Sequence, residues 1–210
     1  MTRRESWQVF LQWIGATTVS LTLARGVLRF LTPFLEKAVL HSVAGTLQGR
    51  ILLVLFQSFQ QGILGAVILG GALGWGQWLV LRRRLPLSLR FVLATALGLG
   101  FSGFLVNYQF FGFVGGLSLG LAQWVVLRRR LPWAGWWPAV NAIAWGLASA
   151  GLSWSFVRVN PYEGLWRWIP DATLVLIALT TLGSALLTGG VLVLLLRQRS
   201  SGAGGTMNGT

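Results

Sequence analysis

Five polar side chains set within apolar stretches are the first candidates for chemistry: Gln77, Gln123, Thr17, Thr95 and Asn141. Gln77 and Gln123 open a repeated decapeptide, QWLVLRRRLP at Gln77–Pro86 and QWVVLRRRLP at Gln123–Pro132, identical at nine of ten positions. Each glutamine lies five residues before its first arginine, so roughly 7–8 Å deeper on a helix rising about 1.5 Å per residue. Thr95 lies five residues after Arg90, and Asn141 a similar distance beyond Trp136. Amides and hydroxyls at one depth in an apolar bundle must find partners, and interhelical bonds between them contribute roughly 0.6–2 kcal/mol each. The expected role of this layer is adhesion between helices. A binding site for an ion or small polar solute is the alternative.

Other catalytic chemistry has little to draw on. All four acids, Glu5, Glu36, Glu163 and Asp171, lie outside the long apolar runs, where no carboxylate can serve as a proton relay or general acid–base pair. The single histidine, His41, has no second ligand spaced to share a metal or a chlorophyll magnesium with it, so a structural role is expected there. With no cysteine, thiolate nucleophiles and thiolate metal sites are absent. The chain is expected to be non-enzymatic and to need no cofactor, with a bound lipid or pigment as the open possibility.

The composition places these residues. Of the residues, 54% are hydrophobic and 10% charged, with a mean hydropathy of +0.68, whereas a water-soluble domain carries about 25% charged residues. The net charge of +13 comes from arginines clustered where apolar runs end. That is the pattern of a topology signal rather than of a nucleic-acid surface. Twelve tryptophans and 28 glycines suit a polytopic helical membrane protein, with Trp at interfaces and Gly at helix contacts.

A span needs about 20 apolar residues, and six segments qualify: 7–24, 62–81, 91–106, 109–127, 136–157 and 173–196. They alternate between two types. Outgoing segments share Trp13-x-x-Ala16-Thr17, Phe91-x-x-Ala94-Thr95 and Trp137-x-x-Val140-Asn141. Returning segments share Gly70-x-x-x-Gly74-x-x-Gln77-Trp78 and Gly116-x-x-x-Gly120-x-x-Gln123-Trp124, with an eroded copy from Thr188-Gly189-Gly190 to Arg197. The expected fold is all-α: one transmembrane domain over 1–199 made of three tandem hairpins, about 7–84, 90–130 and 136–199. Residues 200–210, rich in Gly and Ser, read as a disordered tail. The N-terminus, two loops and the C-terminus hold eleven of the seventeen basic residues and one acid, Glu5, so both termini are expected in the cytoplasm.

Two external segments are longer than turns. Within 25–61, the stretch Pro33–Leu40 reads as an interfacial helix with Pro at its first position, and the start of the uncharged run 51–81 as interfacial or re-entrant. In the second, Asn160-Pro161-x-Glu163 reads as a helix start, followed by Trp166 and Trp168 as interfacial anchors.

Gly70, Gly74, Gly112, Gly116 and Gly120 recur at four-residue steps and predict smooth faces for close helix packing; for the doublets Gly70-Gly71, Gly115-Gly116 and Gly189-Gly190, broken helices around a transport site are the alternative. The triplets Arg82, Arg83, Arg84 and Arg128, Arg129, Arg130 read first as insertion signals, and beyond that as contacts for anionic lipid headgroups or an acidic partner. Trp78, Trp124, Trp133, Trp136 and Trp137 read as an interfacial belt.

The repeated Gly-x-x-x-Gly-x-x-Gln-Trp-x-x-Leu-Arg-Arg unit at Gly70–Arg83 and Gly116–Arg129 resembles that of uncharacterised multi-pass membrane proteins of cyanobacteria and other bacteria. The resemblance implies a location, the bacterial inner membrane or the thylakoid, and no catalytic residues. The expected function is that of a structural, accessory or assembly subunit of a membrane complex, with lipids and other membrane subunits as partners and no nucleic acid. A small-solute channel or transporter, or a lipid- or pigment-binding module, are the alternatives.

Overall fold

The computed structural model describes residues 1–43, 60–105, 111–131, 133–158 and 172–204, and those residues are helical apart from short turns, with no strand among them. Helix α1 spans Arg3–Val43. It starts on a reciprocal cap: the Glu5 N–H donates to Thr2 Oγ1 at 3.2 Å, and the Thr2 N–H to Glu5 Oε2 at 2.8 Å, so two otherwise unpaired amides are satisfied. A π-helical turn at Gln60–Leu64 leads into α2 (Gly65–Leu81). Helices α3 (Arg90–Leu105), α4 (Phe111–Leu127), α5 (Trp137–Arg158) and α6 (Ala172–Gly204) follow, with a 3₁₀ turn at Ala134–Trp136 before α5.

The duplicated motif folds the same way twice. At the end of α2 the Leu85 N–H returns to the Leu81 carbonyl at 2.8 Å, and at the end of α4 the Leu131 N–H returns to Leu127 at 2.9 Å. The turn buries Leu85 and Leu131, each 1% exposed, and leaves all six triplet arginines exposed. One sequence thus sorts grease inward and charge outward within a single turn.

Consecutive helices pack against one another, and α1 packs against α6 to close a ring of six. Inside it lie two apolar clusters. One gathers Val9, Trp13, Leu81, Leu85, Phe91, Leu127, Leu131, Trp137, Leu195 and Leu196 at the end that carries the arginines. The other gathers Leu21, Ala24, Ala66, Leu69, Leu73, Leu99 and Leu119 farther along. The outer face is apolar as well: Leu23, Leu97 and Leu147 are 64%, 67% and 61% exposed. Among the described residues, three helices are long and apolar enough to cross a membrane, Arg3–Phe34, Gly62–Leu81 and Ala178–Arg199, while Arg90–Ser102 and Gly112–Leu127 are shorter apolar helices.

Glycines set the ring's spacing. A Cβ added at Gly70 would lie 2.7 Å from the Thr95 carbonyl oxygen, and one at Gly74 would lie 2.8 Å from the Thr95 Cβ. On α4 the same faces meet α5: a Cβ at Gly112 would strike Ser149, one at Gly116 the Asn141 carbonyl, and one at Gly120 would sit 2.6 Å from the Pro138 Cα. The glycine stripes therefore join each returning helix to the outgoing helix of the next hairpin. On α6, Gly189 closes the circle, with a Cβ there 2.9 Å from Trp13 Cδ1 on α1.

Three sequence expectations need correcting. The segment from Arg25 to Val43 continues α1, so Pro33 lies inside a helix of 41 residues rather than opening a separate interfacial one. Proline removes one backbone donor, and beside it the Thr32 hydroxyl donates to the Leu28 carbonyl at 2.8 Å. The first outgoing helix thus runs well past Ala24. At the other end, α6 continues through Ser200 to Gly204, because extending an established helix requires no new nucleus. The expected re-entrant segment before Gln60, the helix start at Asn160–Glu163, the anchors Trp166 and Trp168, and the tail beyond 204 lie outside the described residues.

The packing predicts a contrast between neighbouring glycines. Gly120→Val drives a branched side chain into the α5 backbone and should destabilise the protein by about 1–3 kcal/mol. Gly71, where a Cβ meets nothing within 4 Å, should accept Ala with no loss and up to about 1 kcal/mol of gain from helix propensity. Thermal unfolding in detergent checks both, and equal losses at the two sites would contradict the packing.

Candidate functional site: a buried amide network

Between the two apolar clusters lies a row of neutral polar side chains. Thr17, Gln77, Thr95, Gln123 and Asn141 are all buried, at 4% exposure or less. They come from α1, α2, α3, α4 and α5 in turn. Gln123 is the hub. Its Nε2 donates to Gln77 Oε1 at 2.8 Å and to Thr95 Oγ1 at 3.1 Å, and its Oε1 accepts the Trp137 indole N–H at 2.8 Å. Gln77 passes the chain on, its Nε2 donating to Thr17 Oγ1 at 3.3 Å.

The donor and acceptor assignments are consistent. Thr95 spends its own proton on the Phe91 carbonyl at 2.7 Å, which leaves its oxygen to accept from Gln123. Of the five candidates, Asn141 stands apart: its Nδ2 donates to the Trp137 carbonyl at 2.9 Å and pins the start of α5 rather than entering the glutamine chain. The structure thus joins Thr17, Gln77, Thr95 and Gln123 directly and holds Asn141 beside them.

Two tryptophans complete the row, and sequence reasoning misplaced one and overlooked the other. Trp137 belongs to the core, 0% exposed, whereas Trp133 and Trp136 face outward at 62% and 69%. The reason is geometric: Trp137 occupies the register of Phe91 and Trp13 in the outgoing repeat, a register that points into the ring. Trp13 is also fully buried and stacks edge-on against Trp137 with centroids 5.8 Å apart. Its indole N–H donates to Thr188 Oγ1 at 3.0 Å, and Thr188 donates in turn to the Ser184 carbonyl at 2.9 Å. Trp13 and Thr188 therefore tie α1 to α6 where the glutamines tie the other helices.

Every side chain in this row is uncharged over the whole physiological pH range, so what the row can do is hydrogen-bond. Gln77 Oε1 and Gln123 Oε1, the oxygens best suited to a cation or polar solute, already accept bonds from Gln123 and Trp137. Among the described residues no group of three His, Cys, Asp or Glu side chains is placed to hold a metal.

At the arginine end, Arg82 lies over the Trp78 ring with 4.6 Å to its centroid, and Arg128 over Trp124 at 5.1 Å. Trp78 also donates its indole N–H to the Leu87 carbonyl at 3.0 Å. Arg84 meets Glu5 at 3.5 Å, with both side chains more than a third exposed, so screening leaves that bridge little stabilising effect. Its use is positional, since it brings the start of α1 to the first arginine loop.

Gln123 makes three of the row's bonds and Gln77 two, and a buried group left unpaired costs about 1–3 kcal/mol. Gln123→Leu should therefore lower unfolding stability by about 2–3 kcal/mol and Gln77→Leu by about 1–2 kcal/mol. The double variant should lose less than the sum, because the bond between the two glutamines is removed only once. Strict additivity would mean that the two amides do not touch.

No protein family, curated protein or solved structure matches the chain.

Proposed function

We propose that this chain is a non-enzymatic integral membrane protein of six spans, a structural, accessory or assembly subunit of a larger membrane complex. The observation that carries the reading is the row of hydrogen bonds that the buried polar side chains make with one another. Its glutamine oxygens take their bonds from the protein's own side chains, as suits a rigid body better than a solute path. Among the described residues three helices are of spanning length and composition, and the other three described helices complete the same ring.

The bacterial inner membrane, or the thylakoid of a cyanobacterium, is the proposed location. The arginine loops gather at one end with the starts of α1, α3 and α5, and the positive-inside rule puts that end, with both termini, in the cytoplasm. Helix α1, at 41 residues, is roughly 60 Å long, about twice the hydrocarbon thickness. Its far half then stands outside the bilayer on the opposite side. There it offers Val27, Phe30, Leu31 and Phe34, all exposed, to a partner subunit.

Extraction of native membranes in mild detergent, followed by purification of the tagged chain, should bring down stoichiometric membrane partners. Val27→Ser, Phe30→Ser, Leu31→Ser and Phe34→Ser together should release them while the ring stays folded. A protein that is always recovered alone would contradict the subunit reading, and one that stays dissolved without detergent would contradict the membrane reading.

A further inference from the structure

The two arginine loops fold alike through their triplets and then diverge, and the divergence leaves donors unmet in the second. After the first triplet, the Leu87 N–H turns back to the Leu85 carbonyl at 2.7 Å, and both leucines enter the apolar cluster. The Leu87 carbonyl is thereby brought within reach of α2 and accepts the Trp78 indole N–H at 3.0 Å. The last arginine of that triplet, Arg84, is met by Glu5. The first loop thus spends its indole donor and one guanidinium on the protein itself.

After the second triplet the chain takes another course. The Ala134 N–H bonds to the Leu131 carbonyl at 3.1 Å, and a 3₁₀ turn follows over Ala134–Trp136. Trp133, which stands where the buried Leu87 stands in the first loop, is turned outward, and so is Trp136 in the place of Arg90. Trp124, the counterpart of Trp78, is half-buried against the same apolar cluster. Its indole N–H meets no acceptor among the described residues. Among those residues no acid meets Arg130, the counterpart of Arg84, or Arg129 beside it, and both are exposed.

Resting on the membrane reading above, we propose that the second arginine loop holds the headgroup of one anionic phospholipid. Arg129 and Arg130 supply the charge, and Trp124 supplies a directed N–H to a phosphate oxygen, a bond strengthened by the charge of its acceptor. Hydrocarbon cannot satisfy that N–H. Trp124 lies one turn inward of Arg128, so these donors stand at the level of lipid phosphates rather than out in the aqueous phase. The outward indoles of Trp133 and Trp136 belong at the same level and flank the lipid. A phosphate thus does for the second loop what the Leu87 carbonyl and the Glu5 carboxylate do for the first.

Native mass spectrometry of the full chain, released from nanodiscs of mixed phosphatidylglycerol and phosphatidylcholine, tests this. One phosphatidylglycerol should be retained per chain in preference to phosphatidylcholine, and added inorganic phosphate should not displace it. Arg129→Gln and Arg130→Gln should each weaken retention roughly fivefold, while Arg83→Gln, at the place of Arg129 in the first loop, should not change it. The two indoles should behave oppositely. Trp124→Phe should weaken retention about tenfold with the melting temperature unchanged, and Trp78→Phe should lower the melting temperature with retention unchanged. Equal retention of the two lipids, displacement by phosphate alone, as large a loss with Arg83→Gln as with Arg129→Gln, or a Trp124→Phe protein that keeps its lipid would each overturn the proposal. Retention of neither lipid would overturn it too, and would leave the loop to an acidic protein partner. The membrane reading would survive any of these, because it fails only if the chain needs no detergent.

Discussion

An amide buried among hydrocarbon side chains must be bonded to something, and water is not at hand to oblige. That constraint organises this molecule. Gln77 and Gln123 stand at equivalent places in two copies of one motif, so a ring that brings α2 and α4 inward brings their amides together. Once they meet, the remaining hydrogen-bonding capacity selects the neighbours: a threonine on α1, a threonine on α3 and an indole on α5. Leucines in the same places would pack without preferring one register. The glutamines are satisfied in this one, and so fix the depth at which five helices sit relative to each other.

The glycine stripes make that meeting sterically possible. Side chains as short as glutamine and threonine reach one another only if the helix backbones approach closely, and Gly74 and Gly120 permit approach at the very level of Thr95 and Asn141. Smooth faces and polar layer are thus two parts of one device, present on both α2 and α4. The third copy replaces the glutamine position with Leu192, which is buried in the apolar cluster. Its tie to α1 passes instead through Trp13 and Thr188. Closing a ring from unequal copies leaves one seam unlike the rest.

Much of this was legible in the sequence because apolar length and polar depth are local properties. Apolar runs located the six helices of the described residues, and the distance of a glutamine from its arginines placed it in a layer before any contact was known. What escaped were features that depend on the partner. Pro33 looks the same at the start of a helix as inside one, and α1 absorbs it. Trp137 follows Trp136 directly, and only the facing of α5 decides that one indole is in the core and the other outside. Thr188 carried a signal in its register, since it falls where Leu73 and Leu119 stand on the other returning helices, yet its bond to Trp13 spans nearly the whole chain. Residues Ser200–Gly204 have a disordered composition but inherit the helix before them.

The account rests on a hydrogen-bonded lock that reaches from the second hairpin into the third, and the Trp137–Gln123 bond is its most exposed claim. A double-mutant cycle with Trp137→Phe and Gln123→Leu, read by reversible unfolding in detergent micelles, measures that bond apart from the packing each side chain contributes. The predicted coupling is about 0.6–2 kcal/mol in favour of the native pair. A coupling indistinguishable from zero, with both single variants destabilised, would mean that the indole and the amide are merely buried side by side and that packing alone holds the ring.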